Sequence, residues 1–348
     1  MTAATGAAHA PQARRPSARF MRLARASACL ALAGAAAQAV AADAPAHVPA
    51  DAPQGSGPYP AIMLQEATLP THTVYRPVDL AGAGKLPIVA WGNGACVNVG
   101  NMFRYFLTEI ASHGFIAIAT GPIGTPRAET HRGGYLERGA PAAGSPAAGL
   151  AAAKGEAAFP PPPGTTAAQL IAAIDWAVAE NRRAGSPYFG RLDTGRIAVM
   201  GQSCGGLQAT AAARDPRVSA LGVWNSGLFP DAEVARKMAA ADAPKSLLPT
   251  LKLASIYVTG DASDQAFPNA DDDFAHIGGP SLRLWREGGG HGGTYGDANG
   301  GAYAPVAVAF LKWRLQGDRQ AARLFTGPDC GLCTQPAWHL RSKHIDRP

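Results

Sequence analysis

The chain has 348 residues, 47% of them apolar and 16% charged, with 41 Gly and 29 Pro. It is long enough for one large domain, or two small ones, around a sizeable core, and the composition excludes a coiled coil, a collagen and a wholly disordered chain. The formal charge of +6 does not point to nucleic acid. Residues 1–42 carry Arg14, Arg15, Arg19, Arg22 and Arg25 and no acid, and the rest is balanced at 26 basic against 25 acidic residues.

Residues 1–42 read as a signal peptide. Arg22 and Arg25 form a basic start, an Ala/Leu-rich run follows from Ala26 to Val40, and Ala39-Val40-Ala41 offers small residues for cleavage near Ala41 or Ala42. The apolar run falls short of the roughly 20 residues a spanning helix needs, so no stable membrane anchor is expected. A secreted or periplasmic protein is predicted. Residues 43–60 read as a Pro/Ala/Gly linker, and 61–348 as one folded domain.

Within that domain, short apolar runs alternate with helical ones. His72–Val78 and Pro87–Trp91 read as strands, the second ending at the Gly92-Asn93-Gly94 turn. Met102–His113 reads as an amphipathic helix stopped by Gly114, and Phe115–Thr120 as a buried strand. Residues 139–164 are low-complexity Ala/Gly/Pro and read as a mobile surface insertion. A helix over Thr165–Asn181 follows. Arg196–Met200, Ala220–Trp224, Ser255–Thr259 and Leu282–Trp285 read as four further strands, and Tyr303–Leu315 as the closing helix. Apolar strands separated by helices imply an α/β fold, with a mainly parallel sheet covered by helices on both faces.

Once Cys29 leaves with the signal peptide, Cys96, Cys204, Cys330 and Cys333 remain. An even number in an exported protein favours disulfides, and four cysteines allow three pairings. Cys330-x-x-Cys333 reads as a local staple near the C-terminus. A zinc site there would need two more ligands, and His339 and His344 are poorly spaced for it, so no metal is expected.

The most informative stretch is Ile197–Gly206. A buried strand runs into Gly201-Gln202-Ser203-Cys204-Gly205, and a helix over Leu207–Arg214 follows. Such a strand–turn–helix needs its glycines because a Cβ would strike neighbouring backbone, and it lifts the serine oxygen above the sheet edge. A serine hydroxyl needs an imidazole to take its proton and a carboxylate to fix the imidazole's tautomer. Two acids, Asp261 and Asp264, follow the Ser255–Thr259 strand, and Asp264 is the better placed to reach back from its loop. His291 follows the Leu282–Trp285 strand, flanked by five glycines that leave it no apolar packing surface.

Ser203 in its motif, Asp264 and His291, in that order on alternating strands and helices, resemble the α/β-hydrolase superfamily. The closer likeness is to secreted esterases of the dienelactone-hydrolase, chlorophyllase and cutinase-like type. The segments Trp91–Cys96, Trp224-Asn225-Ser226-Gly227 and His291–Tyr295 look like those of secreted hydrolases in that group, and the likeness spans about residues 60–345. It implies an α/β-hydrolase catalytic domain that cleaves carboxylic esters through a serine acyl-enzyme, with no cofactor. The substrate would be a small-molecule or polymeric ester; the oligomeric state is not implied.

In that likeness the backbone amide of Cys204 is one oxyanion donor, and Asn93 or Gly94 supplies the other. Trp224, which ends a strand at the catalytic edge, would line the acyl pocket or else pack in the core. The fold would also set the Cys96 and Cys204 turns side by side, within reach of a disulfide closing about 107 residues; otherwise Cys204 is a small buried thiol behind the turn. Two other functions remain on the same fold: a serine peptidase or amidase, and a catalytically inactive binding protein.

Overall fold

In a computed structural model, residues 54–124, 164–231, 233 and 243–345 are described. The signal peptide and most of the 43–60 linker and the 139–164 insertion lie outside them. Nine strands form a single sheet. They are β1 (Ala61–Leu64), β2 (His72–Pro77), β3 (Leu86–Gly92), β4 (Ile116–Thr120), β5 (Leu192–Gln202), β6 (Val218–Trp224), β7 (Ala254–Gly260), β8 (Ser281–Arg286) and β9 (Trp338–Lys343). Their order is β1-β2-β4-β3-β5-β6-β7-β8-β9. Neighbours from β4 through β8 are parallel, whereas β1, β2 and β9 run antiparallel to their partners at the two margins.

The helices are α1 (Arg104–Ser112), α2 (Ala167–Arg182), α3 (Cys204–Ala212), α4 (Phe267–His276), α5 (Tyr303–Gln316) and α6 (Arg319–Ala322). The buried stretches of the central strands are mainly apolar, and alternate residues face different cores. Val89, Trp91, Ala198, Met200, Ile256 and Val258 join α1 and α5 in one core. Ile88, Ala90, Ile197, Val199, Leu221 and Tyr257 join α2, α3 and α4 in the other. Helix α2 starts at a capping box, in which Thr166 and Gln169 satisfy each other's backbone amides. The sheet is mainly parallel with helices on both faces, as an α/β-hydrolase requires.

Beyond β1, α4 and α6, which were not among the expected elements, the observed elements depart from the expected ones in three places. Residues 54–60, assigned to the linker, are already tied to α1: Ser56 donates from its backbone N–H and its hydroxyl to Glu109, and Gly57 N–H donates to Ser112 Oγ. Helix α3 begins at Cys204, directly after the serine, instead of at Leu207. The domain does not close with α5, because β9 returns to pair antiparallel with β8. Among the described residues, no helix is long and apolar enough to cross a membrane.

Candidate active site

Ser203, Asn225, Asp264 and His291 all lie just past the C-terminal ends of neighbouring parallel strands, β5 to β8, and Asn93 lies just past β3. Loops at this edge of an open parallel sheet converge, which is why ligands bind there. Backbone strain concentrates at the same edge. Six non-glycine residues have positive φ among the described residues, and four belong here: Ala95, Cys96, Ser203 and Asn225. Such conformations persist only where surrounding structure enforces them, and they cluster at functional sites.

At Ser203 the enforcing structure is close backbone packing. φ is 51° and ψ −119° at this residue, where β5 turns into α3. A Cβ on Gly201 would overlap the Gly205 carbonyl, and one on Gly205 would overlap the Gly92 carbonyl. The ends of β3 and β5 and the first turn of α3 therefore meet at a spacing only glycine permits. Ser203 is pinned from two further sides: its N–H donates to Trp224 O at 2.9 Å, and Ser226 Oγ donates to its carbonyl at 2.6 Å.

Ser203 Oγ lies 3.0 Å from His291 Nε2, and His291 Nδ1 lies 2.7 Å from Asp264 Oδ1. A carboxylate can only accept, so Nδ1 carries the proton and Nε2 is left to accept from the serine. Asp264 is fully buried, while the imidazole keeps 15% of its surface exposed. Burial pushes the Asp264 carboxyl up, but the hydrogen bond and charge of His291, with the Ala266 and Asn225 amide donors, hold it below the usual carboxylate range. Asp261 points elsewhere. It is half-buried, accepts from Ser263 Oγ and N, and takes the Gly288 N–H at 2.7 Å, which anchors the start of the histidine loop.

Cys204 is the first residue of α3, directly after Ser203, so its N–H has no intrahelical acceptor. The Asn93 side chain is buried, and its Nδ2 donates to Val97 O, Val99 O and Thr120 O at 3.2, 2.9 and 2.6 Å. These bonds brace the turn after β3 from below. Among the described residues, no backbone acceptor takes the N–H of Asn93 or of Gly94. A disulfide joins Cys96 to Cys204, and a second joins Cys330 to Cys333. Gln208 Nε2 lies 3.2 Å from Cys96 Sγ and donates to Thr165 O at 2.6 Å, linking the first disulfide to the start of α2.

The structure does not bring Trp224 to an acyl pocket. Its ring is wholly buried, 5.3 Å from Phe106 and 5.9 Å from Tyr303. The reason is strand parity: Trp224 shares the face of Ala220, which packs into the α1–α5 core. Three polar residues went unassigned in the sequence reading. Gln202 Nε2 donates to the His291 carbonyl at 3.0 Å, Asn225 Nδ2 contacts Asp264, and Tyr295 contacts Asn225. The available signal was a buried-strand terminus followed directly by Asn, in Trp224-Asn225-Ser226-Gly227.

The PET hydrolase-like family (PETase) matches residues 157–246, which contain α2, β5, the serine turn, α3 and β6. The chain is an α/β-hydrolase of the esterase kind. No curated protein matches it. The matched span holds Ser203 but neither Asp264 nor His291.

Proposed function

We propose that this α/β-hydrolase is a secreted serine esterase whose triad is Ser203, His291 and Asp264. The observation that carries the reading is the unbroken relay from Ser203 Oγ through the imidazole to a buried carboxylate, at 3.0 and 2.7 Å, on a serine with positive φ. His291 takes the Ser203 proton as Oγ attacks the ester carbonyl, and the carbonyl oxygen gains negative charge. The amides of Cys204 and of Asn93 or Gly94 receive that charge, each donor supplying a few kcal/mol. His291 then returns the proton to the departing alcohol, leaving an acyl-enzyme. Water deprotonated by the same imidazole releases the acid.

Export is supported by the basic and apolar leader of residues 1–42 together with two disulfides, a combination suited to an oxidising compartment. The substrate is an ester of a small molecule or of a polymer, and the PET hydrolase-like match puts polyesters on the test panel. Fluorophosphonate labelling should modify Ser203, and Ser203→Ala and His291→Ala should each lower kcat on p-nitrophenyl esters by at least ~10³ without loss of folding. A near wild-type rate in either variant rejects the triad. Faster turnover of matched anilides than of esters would reassign the enzyme as an amidase, and absence of labelling would favour the inactive binding protein.

A further inference from the structure

The histidine loop is unusually dependent on outside support. His291 is embedded in Gly288–Gly293, of which Gly288, Gly290 and Gly293 have positive φ. Glycines supply no side chains to pack the loop down and lose the most conformational freedom on ordering. Its position is set by bonds made to its backbone. Asp261 takes the Gly288 N–H, Gln202 donates to the His291 carbonyl, and Asn225 Nδ2 donates to the Gly290 carbonyl at 2.9 Å.

Asn225 differs from the other two in what else it holds. The same Nδ2 donates to Asp264 Oδ2 at 2.8 Å. Asp264 Oδ1 is occupied by His291 and the Ala266 N–H, so Asn225 and the Gly260 N–H hold the remaining oxygen. One carboxamide therefore grips the acid and the loop that carries the base. Its orientation is chemically determined. A carboxylate and a carbonyl can only accept, so the NH₂ group must face Asp264 and Gly290, and Oδ1 must face the Tyr295 hydroxyl, which donates to it. Tyr295 is fixed by Phe103 and Phe106, each at 5.1 Å in edge-to-face contact, and by Tyr303 at 5.2 Å. Asn225 is itself fully buried and locked by its N–H to Val258 O at 2.6 Å.

We infer that Asn225 is a positioning residue that sets the acid–base distance by holding Asp264 and the His291 loop together, with Tyr295 fixing the direction of its amide. The inference rests on the triad proposed above. It accounts for two segments, Trp224–Gly227 and His291–Tyr295, through a single hydrogen bond between them.

Three single substitutions and one double variant test it. Asn225→Ala should lower kcat about 10–100-fold with KM little changed, the cost of a misplaced catalytic pair. Tyr295→Phe keeps the ring packing and removes only the hydroxyl. It should lower kcat by a smaller factor, and the double variant should be no slower than Asn225→Ala alone. Asn225→Asp sets a second carboxyl against Asp264. The added negative charge favours the imidazolium, so the acid limb of the kcat/KM profile should move to higher pH. Should Asn225→Ala fail to fold, the other two variants carry the test. Wild-type kcat and an unmoved pH profile in Tyr295→Phe and Asn225→Asp, with Ser203 still labelled by fluorophosphonate, overturn the positioning role and leave the triad standing. An active Ser203→Ala removes both.

Discussion

Asp261 and Asp264 stand three residues apart on the loop after β7, and the fold gives them opposite surroundings. Asp264 is buried, with both carboxylate oxygens accepting two hydrogen bonds each, one of them from His291. Asp261 is only half-buried and serves as a loop fastener between Ser263 and Gly288. Both carboxyls are held below their usual range, Asp261 by the Ser263 hydroxyl and two backbone amides, and Asp264 by its partners against the cost of burial. A depressed carboxyl therefore does not by itself mark a catalytic acid. What separates the two is burial and the identity of the partner.

The sharpest way to break this comparison is amide substitution at each position. Asp264→Asn should lower kcat by about 10³–10⁴-fold, because a neutral amide cannot stabilise the imidazolium and admits the wrong tautomer. Asp261→Asn keeps an acceptor for Ser263 and Gly288 and should stay close to the wild-type rate on the same p-nitrophenyl esters. The reverse ranking would make Asp261 the acid. The pH consequence carries a definite sign. Because the folded pKa of Asp264 is depressed, its contribution to stability is present above the unfolded carboxyl pKa and is lost as pH falls through the folded value.

The next largest effect separates buried residues that serve the site from those that support it. Trp224 adjoins Asn225 in sequence but faces the aromatic core. Trp224→Ala should cost about 3–5 kcal/mol of stability, and whatever activity is lost should be lost equally for all acyl chain lengths. A melting curve and a p-nitrophenyl ester series measure both. A selective loss on long acyl chains, with an unchanged melting temperature, would return the ring to the acyl pocket.

How much could be read in advance follows from where each constraint originates. The parallel strands were legible from their apolar runs, although Asp193 and Arg196 in β5 and Arg283 in β8 interrupt them, and the serine turn because the glycines around Ser203 answer a local demand of backbone spacing. Strand β9 was not: His339, Arg341 and Lys343 give it the look of a surface segment, and only pairing with β8 makes it a strand. Helix α4 was hidden by Pro268 and by Asp271, Asp272 and Asp273, since only Ala270, Asp273 and Phe274 are buried. Trp224 stood open between pocket and core, and the face it shares with Ala220 places it in the α1–α5 core. Asn225 carried only the weak local signal of an Asn at the end of a buried strand, because its partners lie 39, 65 and 70 residues away.

The two disulfides extend the comparison between site and periphery. Cys96–Cys204 spans 108 residues and ties the turn after β3 to the residue that follows Ser203, whereas Cys330–Cys333 spans three. On chain-entropy grounds the first should contribute about 5 kcal/mol and the second about 2 kcal/mol. Replacing Cys96 and Cys204 by Ser should lower the denaturation midpoint more than replacing Cys330 and Cys333, and should also slow the acylation step, which the distal pair should leave alone. Equal acylation rates in both double variants would separate the first disulfide from the oxyanion turns. Non-reducing peptide mapping checks the pairing directly.

The smallest effect concerns a third aspartate, buried like Asp264 but titrating in the opposite direction. Asp273 on α4 accepts the Leu228 N–H and the Lys245 ammonium, each at 2.8 Å. Burial nevertheless dominates and pushes its carboxyl up to about 6. Raised above its unfolded value, an acid favours the protonated fold, so ionised Asp273 costs stability at neutral pH and that cost disappears as pH falls from about 6 towards 4. Asn resembles the protonated form, can still accept from Leu228, and leaves Lys245 paired with Asp272. Asp273→Asn should therefore raise stability by about 1 kcal/mol at pH 8 and give no gain near pH 4, with kcat unchanged. Melting temperatures of the two proteins at both values decide it. A variant that is less stable at pH 8 than at pH 4, relative to wild type, would mean that the Lys245 attraction outweighs burial. Asp273 would then join Asp264 as a carboxylate the fold prefers to keep charged.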